Sequence, residues 1–133
     1  GVAETLDALC RAGHRLAICT NKPEAPARIM AEHFDLMKWM DTLVGGDTLS
    51  VKKPDPAPLF HAVAATGADK VLYVGDSETD SATAVAAKIP FALFTEGYRK
   101  NPVEKIPHQV AFSHYHALRD LAEAALGLPK PGP

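Results

Sequence analysis

The order of hydrophobic and polar residues predicts a chain in which helices alternate with short buried strands. Apolar residues recur at helical spacing in residues 2–12, and Gly13 follows where a helix commonly ends. The apolar run Leu16–Cys19 is too short for a helix and has polar residues on both sides, as expected of a strand buried on both faces. The chain therefore opens with a helix and a strand.

The same unit recurs along the rest of the chain. The pattern predicts helices from Pro23 to about residue 34 and over 56–67, 77–88 and 115–127, with strands at 41–44, 71–75, 89–94 and, more weakly, 109–114. Strands that alternate with helices of this length favour an α/β fold, in which helices cover both faces of a parallel sheet.

Polar residues follow three of the predicted strands. Thr20 and Asn21 follow the first, two glycines and then Lys53 follow the second, and Asp76 and Asp80 follow the third. In parallel sheets of this type, ligands bind outside the carboxyl ends of the strands, where the connecting loops meet. These residues are therefore expected to share one site.

Asp76 and Asp80 are candidate metal ligands. Asp76 ends an apolar strand and Asp80 lies about one turn into the next helix, so both carboxylates can face one point above the sheet. Mg²⁺ prefers oxygen ligands and is usually held by one or two carboxylates. The alternative is that Asp76 or Ser77 caps the helix, while Glu78 and Asp80 favour its positive end. The residues alone leave both readings open.

Lys53 lies in a loop whose backbone is restricted by Pro54 and Pro56. An ammonium group held there could bind a phosphate and neutralise a nearby carboxylate. The alternative is that Lys52 and Lys53 form a solvated basic pair, because lysine side chains are mostly exposed.

Thr20 and Asn21 also have two readings. They precede Pro23 by the distance expected of a helix cap, and a hydroxyl with backbone N–H groups at a helix N-terminus also makes an anion site. Residues 98–100, in a loop after the fourth predicted strand, could approach the same edge.

Composition narrows the class of protein. With 133 residues, 47% of them hydrophobic and 23% charged, the chain fits one ordinary globular domain. A net charge of −2 gives no general reason to expect nucleic acid as a partner, and no apolar run approaches the roughly 20 residues of a membrane helix. The chain has only two cysteines, Cys10 and Cys19, and no signal-like start. We therefore expect no disulfide between them and a cytoplasmic location for the protein.

Three segments taken in order carry a family resemblance. The segments AICTNKP, GGDTLSVKKPDPAPL and YVGDSETD resemble the second, third and fourth motifs of the haloacid dehalogenase-like phosphohydrolases. The resemblance implies that 1–127 is a partial Rossmann-like core domain and that 128–133 is a loose tail. It implies that the hydroxyl of Thr20 binds phosphate, with Asn21 beside it, and that Lys53 is catalytic and also binds phosphate. It further implies that Asp76 ligates Mg²⁺ and that Asp80 completes or orients the metal site.

The resemblance implies part of a Mg²⁺-dependent phosphatase that acts on a small phosphomonoester, most plausibly 2-phosphoglycolate, through an aspartyl-phosphate intermediate. The family's first motif, a strand ending in DxDGT that supplies the nucleophile, and the helical cap are missing from this chain. The chain alone is therefore expected to be inactive. The alternatives are a sugar-phosphate phosphatase or phosphomutase of the same superfamily, and a non-catalytic phosphate-binding or assembly module.

The missing first-motif strand also affects the predicted sheet. In the family this strand lies centrally, between the strands predicted at 15–20 and 71–75. Without it, two central strands would have unpaired backbone groups. We therefore expect either a rearranged sheet or a strand supplied by an N-terminal segment or by a second copy of the chain.

Overall fold

The computed structural model describes residues 1–97 and 99–128, so Tyr98 and, apart from Leu128, the predicted tail lie outside the described residues. Its helices and strands, in chain order, are α1 (Val2–Arg11), β1 (Leu16–Cys19), α2 (Glu24–His33), β2 (Met40–Val44), α3 (Ala57–Thr66), β3 (Tyr73–Gly75), α4 (Glu78–Ala87), β4 (Phe91–Phe94), β5 (Val110–Phe112) and α5 (Leu118–Ala125). Short 3-10 helices occur at Met37–Trp39, Val103–Lys105 and Tyr115–Ala117.

The strands form two parallel groups. Strand β1 pairs with β2, and β4 pairs with both β3 and β5, in every case in parallel. The predicted α/β fold with parallel strands is confirmed.

Helices cover both faces of the three-stranded group. Along β4, Phe91 and Leu93 pack in a cluster with residues of α3 and α4, while Ala92 packs with Phe112 and with Leu118 of α5. This alternation follows from the two-residue period of a strand, which sends neighbouring side chains to opposite faces. All three of these β4 residues are almost fully buried, so the core of the domain lies on both sides of this sheet.

A groove separates the two groups of strands. It is a cavity of about 280 Å³ lined by residues of β1, β3, α3 and α5. Within the described residues, the edges of β1 and β3 that border it have no strand partner. The expected rearrangement of the sheet is therefore wrong, whereas the supply of a strand from elsewhere stays a prediction.

The groove also explains a wrong prediction about β1. This strand was expected to be buried on both faces, but all four residues of Leu16–Cys19 are only half-buried. Because β1 borders the groove, one of its edges lacks the neighbouring strand that would complete its burial.

The N-terminus of α2 is capped by a residue that the sequence pattern does not indicate. Asp47 Oδ1 accepts a hydrogen bond of 2.8 Å from the backbone N–H of Glu24, the first residue of α2. The hydroxyl of Thr20 accepts from Lys22 N instead, and Asn21 binds another loop. The helix-cap reading of Thr20 and Asn21 is therefore wrong.

Both cysteines are free, as predicted. Burial is the main cause that raises the pKa of the Cys10 and Cys19 thiols, so both remain protonated near neutral pH. No helix in the described part of the chain is both long and apolar enough to cross a membrane.

Candidate functional site

All five predicted site residues lie around one open cavity. It has a volume of about 430 Å³ and is lined by residues that follow β1 and β3 and by the loop between β2 and α3, namely Thr20, Asn21, Lys53, Asp76 and Asp80 with their neighbours. The expectation that these residues share one edge of the sheet is confirmed. The role of each residue stays a prediction.

Lys53 is a buried residue with a carboxylate partner. Its side chain is 7% exposed, and its Nζ donates to Asp80 Oδ1 at 2.5 Å and to the hydroxyl of Tyr73 at 2.7 Å. The neighbouring Lys52 is exposed. The reading of both lysines as a solvated basic pair is therefore wrong for Lys53, whose charge is held at the cavity.

The Lys53–Asp80 pair sets the electrostatics of the cavity floor. Burial acts to raise the pKa of Asp80, but the hydrogen bond and charge of Lys53, together with the backbone N–H of Asp76, outweigh it and lower the pKa below its ordinary value. Burial raises the pKa of Tyr73, so its hydroxyl stays protonated and donates to Cys19 O at 3.1 Å. Near neutral pH the floor is an ion pair beside a neutral phenol.

Asn21 holds the Lys53 loop by its backbone. Its side-chain carbonyl accepts from Lys53 N and its amide donates to Lys53 O, both at 2.9 Å. One side chain thus satisfies both backbone groups of Lys53, which orients the loop towards Asp80. Asn21 is a positioning residue in this arrangement, and its predicted contact with phosphate stays a prediction.

We predict that Asn21→Ala lowers the free energy of unfolding by about 1–3 kcal/mol, because it leaves two partly buried backbone groups of Lys53 without a partner. Urea unfolding followed by circular dichroism measures the change. Asn21→Asp keeps the acceptor for Lys53 N but sets a carboxylate oxygen against Lys53 O, so it should not restore the stability that the alanine variant loses. Equal stability of the alanine variant and the wild type would contradict the positioning role.

The turn around Asp76 combines the two readings that the sequence left open. Ser77 Oγ caps α4 by accepting from Asp80 N at 3.3 Å, as the structural alternative proposed. The backbone N–H of Asp76 donates to Asp80 Oδ2 at 3.1 Å. Gly75 is required here because a Cβ would overlap the Asp80 carboxylate. Among the described residues, the carboxylate of Asp76 has no hydrogen-bond donor and remains available to a cation.

Comparison with known proteins identifies the family. The family model described as haloacid dehalogenase-like hydrolase matches residues 1–94, a range that contains all three motif segments. The chain belongs to the haloacid dehalogenase-like hydrolase family. The resemblance stated from the motifs is confirmed.

Two relatives of this haloacid dehalogenase-like chain carry the same name. The chain is 52% identical over 121 residues to a phosphoglycolate phosphatase of Cereibacter sphaeroides, and the match covers 91% of this chain and 56% of the relative. A phosphoglycolate phosphatase of Rhodospirillum rubrum is 44% identical over 134 residues, which covers 99% of this chain and 54% of the relative. The chain therefore spans little more than half the length of these curated relatives.

The fold matches solved structures of the same family. A crystal structure of a predicted phosphoglycolate phosphatase from Haemophilus somnus superposes with a TM-score of 0.84 at 29% sequence identity, covering 90% of this chain and 55% of that one. Together with the family match, this confirms the predicted core with parallel strands and helices for this haloacid dehalogenase-like chain.

Sequence reasoning missed Tyr73 beside this haloacid dehalogenase-like site and gave Glu78 only a role at the positive end of a helix. Tyr73 binds Lys53, and the only signal for it was one hydroxyl in an apolar strand. Glu78 binds the loop that follows β4, where Arg99 turns back to donate to Thr95 O. Of residues 98–100, which could approach this edge, Tyr98 lies outside the described residues and Lys100 N donates to Glu78. The same loop brings the backbone of Gly97 against Asp76.

Proposed function

We propose that this chain forms part of a Mg²⁺-dependent phosphatase that hydrolyses a small phosphomonoester, and that its substrate is 2-phosphoglycolate. The observation that carries the proposal is the cavity at which Thr20, Lys53, Asp76 and Asp80 meet in a haloacid dehalogenase-like hydrolase. Relatives named phosphoglycolate phosphatase, at up to 52% identity, support the substrate. The two free cysteines are compatible with a reducing cytoplasm.

The donor set at the cavity fits a hard cation. Asp76 lines the cavity and its carboxylate has no hydrogen-bond donor among the described residues, while Asp80 is held by Lys53 Nζ and Asp76 N. Asp76 would therefore ligate Mg²⁺ and Asp80 would orient the site. When bound, Mg²⁺ supplies positive charge that stabilises the oxygens of the transferred phosphoryl group.

The remaining side chains suit a phosphate group. Lys53 supplies a fixed positive charge at the cavity, held in place by Asp80 and Tyr73. The hydroxyl of Thr20 accepts from Lys22 N and keeps its own proton to donate to a phosphate oxygen. These groups would bind the phosphoryl group and hold it in line for attack.

The nucleophile in this proposal comes from outside the chain. An aspartate at the end of the strand that fills the groove would attack phosphorus and release the alcohol, and water would then hydrolyse the aspartyl-phosphate. The groove supports this placement, because it lies between β1 and β3 and the site cavity lies at the ends of the same strands. We propose that the strand belongs to an N-terminal segment of a longer enzyme and not to a second copy.

We predict that Mg²⁺ raises the thermal midpoint of this chain and that Asp76→Asn abolishes the rise. At a concentration of 100 times the dissociation constant, a ligand of the folded state adds about 2.7 kcal/mol of stability. Differential scanning calorimetry with and without MgCl₂ measures the effect. Asp69→Asn, at an exposed residue in the α3–β3 loop, is the matched control and should keep the rise. No stabilisation of the wild type, or equal stabilisation of the Asp76 variant, would contradict the metal site.

A further inference from the structure

Glu78 makes contacts that the proposed chemistry does not use. Its Oε1 accepts three hydrogen bonds from the segment after β4, from Lys100 N at 2.8 Å, from Asn101 N at 2.7 Å and from Asn101 Nδ2 at 3.1 Å. Attraction to the positive end of α4 would not direct the carboxylate at these groups, whereas hydrogen bonds to an ionised acceptor do so. Glu78 therefore ties this segment to the first turn of α4.

The segment held by Glu78 contacts Asp76. A Cβ built on Gly97 would lie 2.7 Å from Asp76 Cγ and would overlap Asp76 Cβ and Oδ2 as well. The backbone of Gly97 therefore packs directly on the Asp76 side chain. The start of the segment is anchored to β5 by the bond from Thr95 N to Phe112 O, at 2.8 Å, and Glu78 anchors its other end.

We infer that Glu78 is a positioning residue that holds Asp76 in one side-chain conformation, because it anchors Lys100 and Asn101 in the same loop whose Gly97 packs on Asp76. The inference rests on the proposed function, in which Asp76 ligates Mg²⁺, and it adds a residue that acts on the ligand through the backbone of a loop. Among the described residues, Asp76 accepts no side-chain hydrogen bond, and the backbone of Gly97 is the close contact through which the loop would restrict its rotation. Residues that orient a metal ligand commonly change metal affinity by 10–100-fold when they are removed.

Two substitutions at Glu78 separate positioning from charge. Glu78→Ala removes the acceptor, whereas Glu78→Gln removes the charge but keeps an oxygen that can accept the same three bonds. In the ¹⁵N,¹³C-labelled 133-residue chain, the three-bond couplings that report the χ1 angle of Asp76 should become averaged in the alanine variant and stay close to wild type in the glutamine variant. The dissociation constant for Mg²⁺, measured by calorimetry, should rise about tenfold in the alanine variant only.

A third substitution changes the residue that packs on Asp76 and leaves Glu78 in place. Gly97→Ala places a Cβ against the Asp76 side chain and should change its χ1 couplings although Glu78 is intact. Unchanged couplings in Glu78→Ala, or equal losses in the alanine and glutamine variants, would overturn the inference. If the wild type binds no Mg²⁺, the proposed function fails, and the χ1 couplings without metal still decide the role of Glu78.

Discussion

Replacing either partner of the Lys53–Asp80 pair alone should destabilise this domain by about 3–5 kcal/mol, whereas replacing both with apolar residues should cost much less. The side chains are 7% and 14% exposed, and their charged atoms lie 2.5 Å apart. Removing one partner leaves a largely buried charge without its opposite charge, and that penalty exceeds the attraction that the intact pair contributes. The loss is a large fraction of the 5–15 kcal/mol that stabilises a typical domain.

The variants that test this are Lys53→Met, Asp80→Leu and the double replacement. Tyr73 keeps Cys19 O as an acceptor in all three, so its hydroxyl is not left without a partner. Urea unfolding in EDTA gives the three free-energy differences, and their non-additivity gives the coupling between the two residues. A double variant as unstable as the sum of the single variants would contradict a buried, coupled pair.

The elements of this fold were predictable wherever the signal is local. Strand β1 occupies Leu16–Cys19 as predicted, and α3 and α4 lie within the predicted helices, because apolar spacing and end residues act over a few positions. Strand β3 begins at Tyr73, two residues later than predicted. Val71 and Leu72 line the groove, where no strand of the described residues pairs with this edge of β3 to extend the ladder.

The candidate site was predictable as a location but not as a set of contacts. Topology alone brings strand ends to one edge, so Asp76, Asp80 and Lys53 could be placed together from the sequence. Their partners are set by how loops fold back over distances that no local pattern records. Asn21 binds Lys53, 32 residues away, and Glu78 binds Asn101, 23 residues away. The sequence therefore indicates which side chains lie at the site, but it does not indicate their hydrogen-bond partners.

The groove connects the fold to the proposed activity. The groove lies between the edges of β1 and β3, and residues of α3 and α5 also line it. A central strand of a parallel sheet has the same surroundings, with a strand on each edge and helices over its faces. The site cavity lies at the ends of the same two strands. A strand inserted in parallel would therefore complete the backbone pairing and bring its last residue to Lys53 and Asp76, so that stability and activity depend on one segment.

Joining this chain to the half of a relative that it does not match should create phosphatase activity, which we expect the chain alone to lack. We propose a chimera in which the part of the Cereibacter sphaeroides relative that this chain does not match is placed before this chain. The junction lies where the matched region begins, over which the two sequences are 52% identical. Loss of a nucleophile costs on the order of 10⁶ in kcat, so the isolated chain should release no phosphate from 2-phosphoglycolate above background. Phosphate release by both proteins at equal concentration measures the difference.

Controls in the chimera separate folding from chemistry. Asp76→Asn should abolish turnover and Asp69→Asn should not, because only Asp76 lies at the cavity. Hydrogen exchange should show slower exchange of the β1 and β3 amides in the chimera than in the isolated chain, including in a variant without the supplied nucleophile, because strand pairing needs no chemistry. Turnover by the isolated chain that survives Asp76→Asn would show that this cavity is not the phosphatase site. Unchanged exchange of β1 and β3 in an active chimera would show that the groove is not where the strand binds.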